Sequence, residues 1–135
     1  MSEPTSMPSD ENQSFDDTYR PLTREAITSI VSGEVEGGCD PVERARDYAE
    51  RGKPDFALAY LLASTLADDE KRELFAHAYE RRSSITTQRA AEFDRKFHRE
   101  FPLLHNDAAK DRATARQIRA GKVVRKGTDR HIPMI

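Results

Sequence analysis

Four histidines, a lone cysteine and a scatter of carboxylates are the side chains of this 135-residue chain that could do chemistry. Glu73 and His77 stand four apart, as do Asp94 and His98, so on a helix each pair shares a face. His105 and His131 complete the set. A carboxylate-bridged di-iron bundle needs Glu-x-x-His twice, and a zinc-protease helix needs HExxH. Neither is present, so no metal is expected and the histidines read as surface hydrogen-bond and ion-pair partners. The nucleophile and phosphate motifs GxSxG, GxxxxGK[ST] and GxGxxG are also absent. Glu34 and Glu36 precede Gly37 and Gly38 on what reads as a loop, with no histidine nearby to complete an acid–base pair. Cys39 lies beside Asp40, whose charge disfavours a thiolate, while a predicted helix start favours one. A single thiol makes neither an internal disulfide nor a thiolate zinc cage, and a structural cysteine in a reducing cytoplasm is the expectation. No catalytic residue, cofactor or metal ligand is predicted.

The cations carry more pattern. Residues 1–70 hold 16 acids and 6 bases, a net −10, whereas residues 71–135 hold 8 acids and 16 bases, a net +8. The overall charge of −2 conceals this polarity. Arg112, Arg116 and Arg119 recur at intervals of four and three, which puts them on one helical face, and Lys122, Arg125 and Lys126 prolong the charge. Three functions compete for this pattern. The preferred one is a non-catalytic adaptor, assembly factor or regulatory subunit that docks an acidic protein surface by complementary charge. The second is a nucleic-acid-binding regulator using the same arginines on phosphates. Against it, residues 112–130 contain no aromatic side chain on which bases could stack, and the pI is near 6.1. The third is an enzyme whose carboxylates converge from distant positions. The plainest account of the basic face is a solvated surface that answers the acidic half of its own chain.

These residues need elements to position them, and residues 56–67 (FALAYLLASTLA) organise the rest. They are apolar except at Ser64 and Thr65, and a helix apolar on all sides belongs at the centre of a small protein. Thr23 caps a short helix ending at Gly33. Asp40, Pro41 and Glu43 start a second that stops at Gly52, and Pro54 opens the central one. A long helix is predicted from Asp69 to about Phe101, with residues 83–87 (SSITT) as poor helix formers where it could break. Its apolar stripe comprises Leu74, Phe75, Ala78, Ile85, Ala90, Phe93, Phe97 and Phe101. The last three lie at i, i+4, i+8, and ordinary packing against the central helix is the preferred account of them. The other account is a self-association seam that makes a homodimer. Asn106 caps a last helix over 107–120, weak in large apolar residues.

Tyr48, Gly52 and Ala57 fall at the spacing YxxxGxxxxA, with the turn between two helices. Over residues 44–68 this resembles the central part of a tetratricopeptide repeat, departing from it at Arg44 and Ala45 and without a second copy. The resemblance implies an antiparallel helical hairpin and a protein partner. The chain is thus expected to be all-α: four or five helices over 21–120, between a disordered acidic arm at 1–20 and a basic flexible tail at 121–135. No run of about 18 apolar residues exists, so no membrane span is expected. The N-terminus carries Glu3, Asp10 and Glu11 where a signal peptide would be basic then apolar, which suits a cytoplasmic protein.

Overall fold

The computed structural model describes residues 22–121, so the predicted arm and nearly all of the predicted tail lie outside the described residues. Five helices follow one another: α1 (Arg24–Glu36), α2 (Pro41–Glu50), α3 (Pro54–Leu62), α4 (Asp68–Phe97) and α5 (Pro102–Arg119). The protein is all-α, as its periodicity predicts. Two of the start signals act as read. Thr23 accepts a hydrogen bond from the Ala26 N–H at 3.1 Å, and Asp40 accepts one from the Val42 N–H at 3.0 Å. Pro41 and Pro54 occupy the first helical position, where a missing N–H costs nothing.

Four boundaries differ from expectation. α1 runs through Gly33 to Glu36 because Val35 packs on the core one turn beyond the buried Val31, which outweighs the roughly 1 kcal/mol cost of an internal glycine. Glu34 and Glu36 are therefore helical. α3 stops at Leu62, where the Ser64 hydroxyl donates to the Leu61 carbonyl and accepts from the Leu66 N–H, turning the chain. α4 passes unbroken through residues 83–87 and ends at Phe97 with His98 in the left-handed region (φ 56°). α5 begins at Pro102, five residues before the predicted start, because proline is as good an opener of the next helix as a stop for the last.

The core gathers on α3 and the first half of α4. Ala57, Leu58, Tyr60 and Leu61 of α3 are buried with Ile27 and Val31 of α1, Ala45 of α2, Phe75, Ala76 and Tyr79 of α4, and Ala115 and Ile118 of α5. α3 packs against α1, α2 and α4. It is not apolar-buried on every side, since Leu62 keeps 54 % of its surface exposed. Tyr48 stacks between Phe56 and Tyr60, with ring centroids 4.9 and 5.6 Å away. At the α2–α3 turn Gly52 takes φ +74°, and a Cβ there would sit 3.0 Å from backbone atoms of Arg82 on α4. Only glycine allows both the conformation and the approach.

α4 and α5 form an antiparallel hairpin, because Glu73, Ser83 and Asp94 in ascending order meet Arg119, Ala108 and His105 in descending order. The buried residues of the two helices are Ala76, Tyr79, Ser83 and Ala90 on α4, and Ala108, Asp111, Ala115 and Ile118 at intervals of three and four on α5, more than half of them small. The predicted stripe of α4 is corrected at its far end. Phe93 and Phe97 do not pack on the central helix; they belong to neither the core nor the side chains bordering it, and they remain 40 % and 52 % exposed.

Candidate docking surface

Three arginines predicted to act together on α5 have three different environments. Arg119 is fully engaged. Its Nε donates to Glu73 Oε1 at 2.9 Å and its Nη2 to Glu73 Oε2 at 2.7 Å, while Nη1 and Nη2 also reach the carboxylate of Glu80. Glu73 and Glu80 lie two turns apart on α4, so one guanidinium staples two turns of the neighbouring helix. Hydrogen bonds to Glu73 and then to Glu80 raise the Arg119 pKa, and the same bonds hold both carboxyls below their ordinary value despite some burial.

Arg112 is exposed but anchored: one Nη donates to the Ser83 hydroxyl at 3.1 Å, and that buried hydroxyl donates to the Ala108 carbonyl at 2.8 Å. Arg116 is exposed and forms no ion pair among the described residues. Lys110 on the same helix is exposed and likewise unpaired. Lys122, Arg125 and Lys126 lie outside the described residues. The basic helix thus divides into an internal clamp at Arg119 and an outward cationic set at Lys110, Arg112 and Arg116.

Asp111, within the same helix, escaped the sequence reading. It is buried and accepts from Arg82 Nε at 2.9 Å and Nη2 at 3.0 Å, and the guanidinium lies 5.2 Å from the Tyr79 ring centroid. Burial would lower the Arg82 pKa, but its paired hydrogen bonds to Asp111 and the charge of that carboxylate raise it above its ordinary value. A signal existed in the sequence: Asp111 is in phase with Ala108, Ala115 and Ile118, so it had to face α4.

Neither four-apart carboxylate–histidine couple is hydrogen-bonded to itself; the histidines and carboxylates bond to other elements. His77 Nε2 meets Glu50 Oε1 of α2 at 2.9 Å, and Arg81 Nε donates to the Glu50 carbonyl at 2.9 Å. The His77 bond chiefly holds Glu50 below its ordinary carboxyl pKa. Asp94 turns to the next helix, accepting from the Phe101 N–H at 2.9 Å and meeting His105 Nε2 at 2.8 Å. Among the described residues no group of three or more His, Cys, Asp or Glu side chains could hold a metal. Cys39 is half-buried against the core. No described helix is long and apolar enough to cross a membrane.

Phe93, Phe97 and Phe101 come together at the tip of the α4–α5 hairpin, each edge-on to the other two with centroids 5.6–5.9 Å apart. Lys96 lies 5.6 Å over the Phe97 ring and Arg99 lies 4.9 Å over the Phe101 ring. The molecule therefore presents two distinct surfaces, a cationic face on α5 and an aromatic cluster at the tip. Set against known proteins, the chain matches no family model, no curated protein and no solved structure.

Proposed function

We propose that this protein is a non-catalytic interaction module, an adaptor, assembly factor or regulatory subunit, which docks an acidic protein through the outward cations of α5. The observation that carries this reading is the distribution of counter-charges. Of the acids beside α5, Glu73 and Glu80 are engaged by Arg119 and Asp111 by Arg82, while Asp107 is exposed one turn before Lys110. Lys110 and Arg116 are left without an ion pair among the described residues, and Arg112 has only one nitrogen bonded. Arg112 and Arg116, one turn apart on a rigid helix, attract and orient an acidic surface, with Lys110 on another face of α5. Lys122, Arg125 and Lys126 extend the same charge along the chain. The tetratricopeptide-like spacing of Tyr48, Gly52 and Ala57 supports a protein partner over phosphates, and a lone thiol suits a reducing cytoplasm.

The test is affinity capture from the protein's own cell extract at two salt concentrations, comparing the natural chain with an Arg112→Glu/Arg116→Glu variant. The expected result is capture that weakens with salt and is lost in the variant. Capture undiminished by both charge reversals would refute the docking surface. Fluorescence anisotropy with labelled RNA and DNA separates the phosphate alternative. Micromolar binding with a steep salt slope that disappears in the same variant would put nucleic acid in place of the protein.

A further inference from the structure

Between α1 and α3 lies an open cleft of about 350 Å³, and we infer that it seats residues 130–135 (RHIPMI) of this same chain. Val31 and Val35 of α1 and Ala59, Leu62 and Ala63 of α3 give the cleft its apolar lining. Thr28, Ser32 and Glu36, spaced four apart along α1, supply the polar part. α1 packs chiefly on α3, so a peptide laid across both would fasten it to the rest of the fold. The segment sets out from the right end of the molecule. Arg119 bonds Glu73 in the second turn of α4 and α5 runs antiparallel to α4, so Gly121 lies towards Asp68, where α4 begins. Leu62 and Ala63 stand just before Asp68, across one short connection. Residues 122–131 span at most about 35 Å when extended, and the radius of gyration of a domain of about 100 residues is only about 13 Å. The cleft is within reach.

Charge and shape choose this occupant. The two helices that form the cleft carry Glu25, Glu34, Glu36 and Asp55 against Arg24. Among the described residues only Glu34 of these acids forms an ion pair, with Arg44. Residues 122–135 carry Lys122, Arg125, Lys126 and Arg130 against Asp129, a net +3. Residues 1–21 carry five acids against Arg20, a net −4, so the cleft repels them. A second copy set face to face would bring its own acids against these, and a nucleic acid would bring phosphates. A foreign cationic peptide competes with a segment tethered at roughly millimolar effective concentration. Ile132, Met134 and Ile135 are the apolar end of this basic stretch. Pro133 disfavours helical angles at Ile132, and in an extended chain Ile132 and Met134 project to the same side. Seated, they cover Leu62 and Val35 while Arg130 answers Glu36. The inference does not rest on the α5 docking face, whose helical cations are Arg112 and Arg116.

Paramagnetic broadening in solution NMR of the full chain tests this. Cys39 is the only cysteine, so Cys39→Ser with Thr128→Cys gives a single attachment point for a nitroxide, shortly before Ile132. The expected result is loss of the amide signals of Val31, Val35, Ala59 and Leu62, and their return when Ile132→Asp/Met134→Asp is added. Those two substitutions lie outside α1–α5, so the circular-dichroism spectrum should stay unchanged. Glu36→Lys should restore the signals more at low salt than at high salt. Signals that survive beside the nitroxide overturn the inference, as does broadening that persists in the Ile132→Asp/Met134→Asp chain. A mixture of isotope-labelled chain without nitroxide and unlabelled chain carrying it separates the source. Loss of the same signals in that mixture would assign the cleft to the segment of a second copy and refute the seat within one chain.

Discussion

Asp111 shows what a single side chain contributes here. It is buried and holds Arg82 through two hydrogen bonds, so truncating it strands a guanidinium against Tyr79. Asp111→Ala is expected to cost about 2–3 kcal/mol in urea unfolding, below the usual range for a broken buried pair because 27 % of the Arg82 side chain still reaches water. The double variant Arg82→Met/Asp111→Leu should recover most of that loss, since an apolar pair of similar volume needs no partner charge. A double variant as unstable as Asp111→Ala would mean the loss is one of packing. The pair also shows what local spacing leaves out. Nothing in the spacing of α4 marks Arg82 as paired, and its carboxylate partner stands 29 positions away.

At the scale of elements, glycines separate local from tertiary causes. Gly33 is inside α1 with open space where a Cβ would stand, so Gly33→Ala should stabilise by about 0.5–1 kcal/mol. Gly52 holds φ +74° with the Arg82 backbone 3.0 Å from an added Cβ, so Gly52→Ala should destabilise by about 2–3 kcal/mol. Thermal unfolding of the two variants checks the opposite signs, and a neutral Gly52→Ala would show that α4 can move away from the α2–α3 turn. α2 was legible to within a residue because its caps are local: Asp40, Pro41 and Gly52 act on their own neighbours. α4 crosses SSITT unbroken for a reason that is not local. Ser83 is buried at the α5 seam, where its hydroxyl serves Ala108 and Arg112, and a larger side chain would hold the helices apart.

For the whole molecule, part of the charge is taken up by an internal clamp, formed within the basic half of the chain. Glu73 and Glu80 have pKa values lowered by Arg119, so the folded state keeps these carboxylates ionised where the unfolded chain would protonate them. That contribution is complete above the ordinary value of 4.5 and is lost as pH falls through the lower folded values. The natural protein should therefore lose stability between about pH 5 and about pH 3 more steeply than Arg119→Ala. The same substitution should cost only about 1 kcal/mol at neutral pH, because the clamp is partly exposed. Equal acid slopes in a urea-unfolding series would show that the clamp does not persist in solution. Arg119 thus belongs to the fold, while Arg116 is exposed without an ion pair among the described residues.

The sequence by itself determined the all-α class, a count of four or five helices, the central position of α3 and the alignment of three arginines along α5. Each of these follows from periodicity and capping, which act within a few residues. Tertiary structure alone decided that Arg119 faces inward while Arg116 does not, that Glu73 and Asp94 leave their helical neighbours for Arg119 and His105, and that Phe93 and Phe97 stand in water. Those outcomes depend on where α5 lies against α4. That placement is set by residues at the seam, Ser83, Ala90, Ala108 and Ala115, and the spacing on α5 marks which face is buried without saying what packs on it.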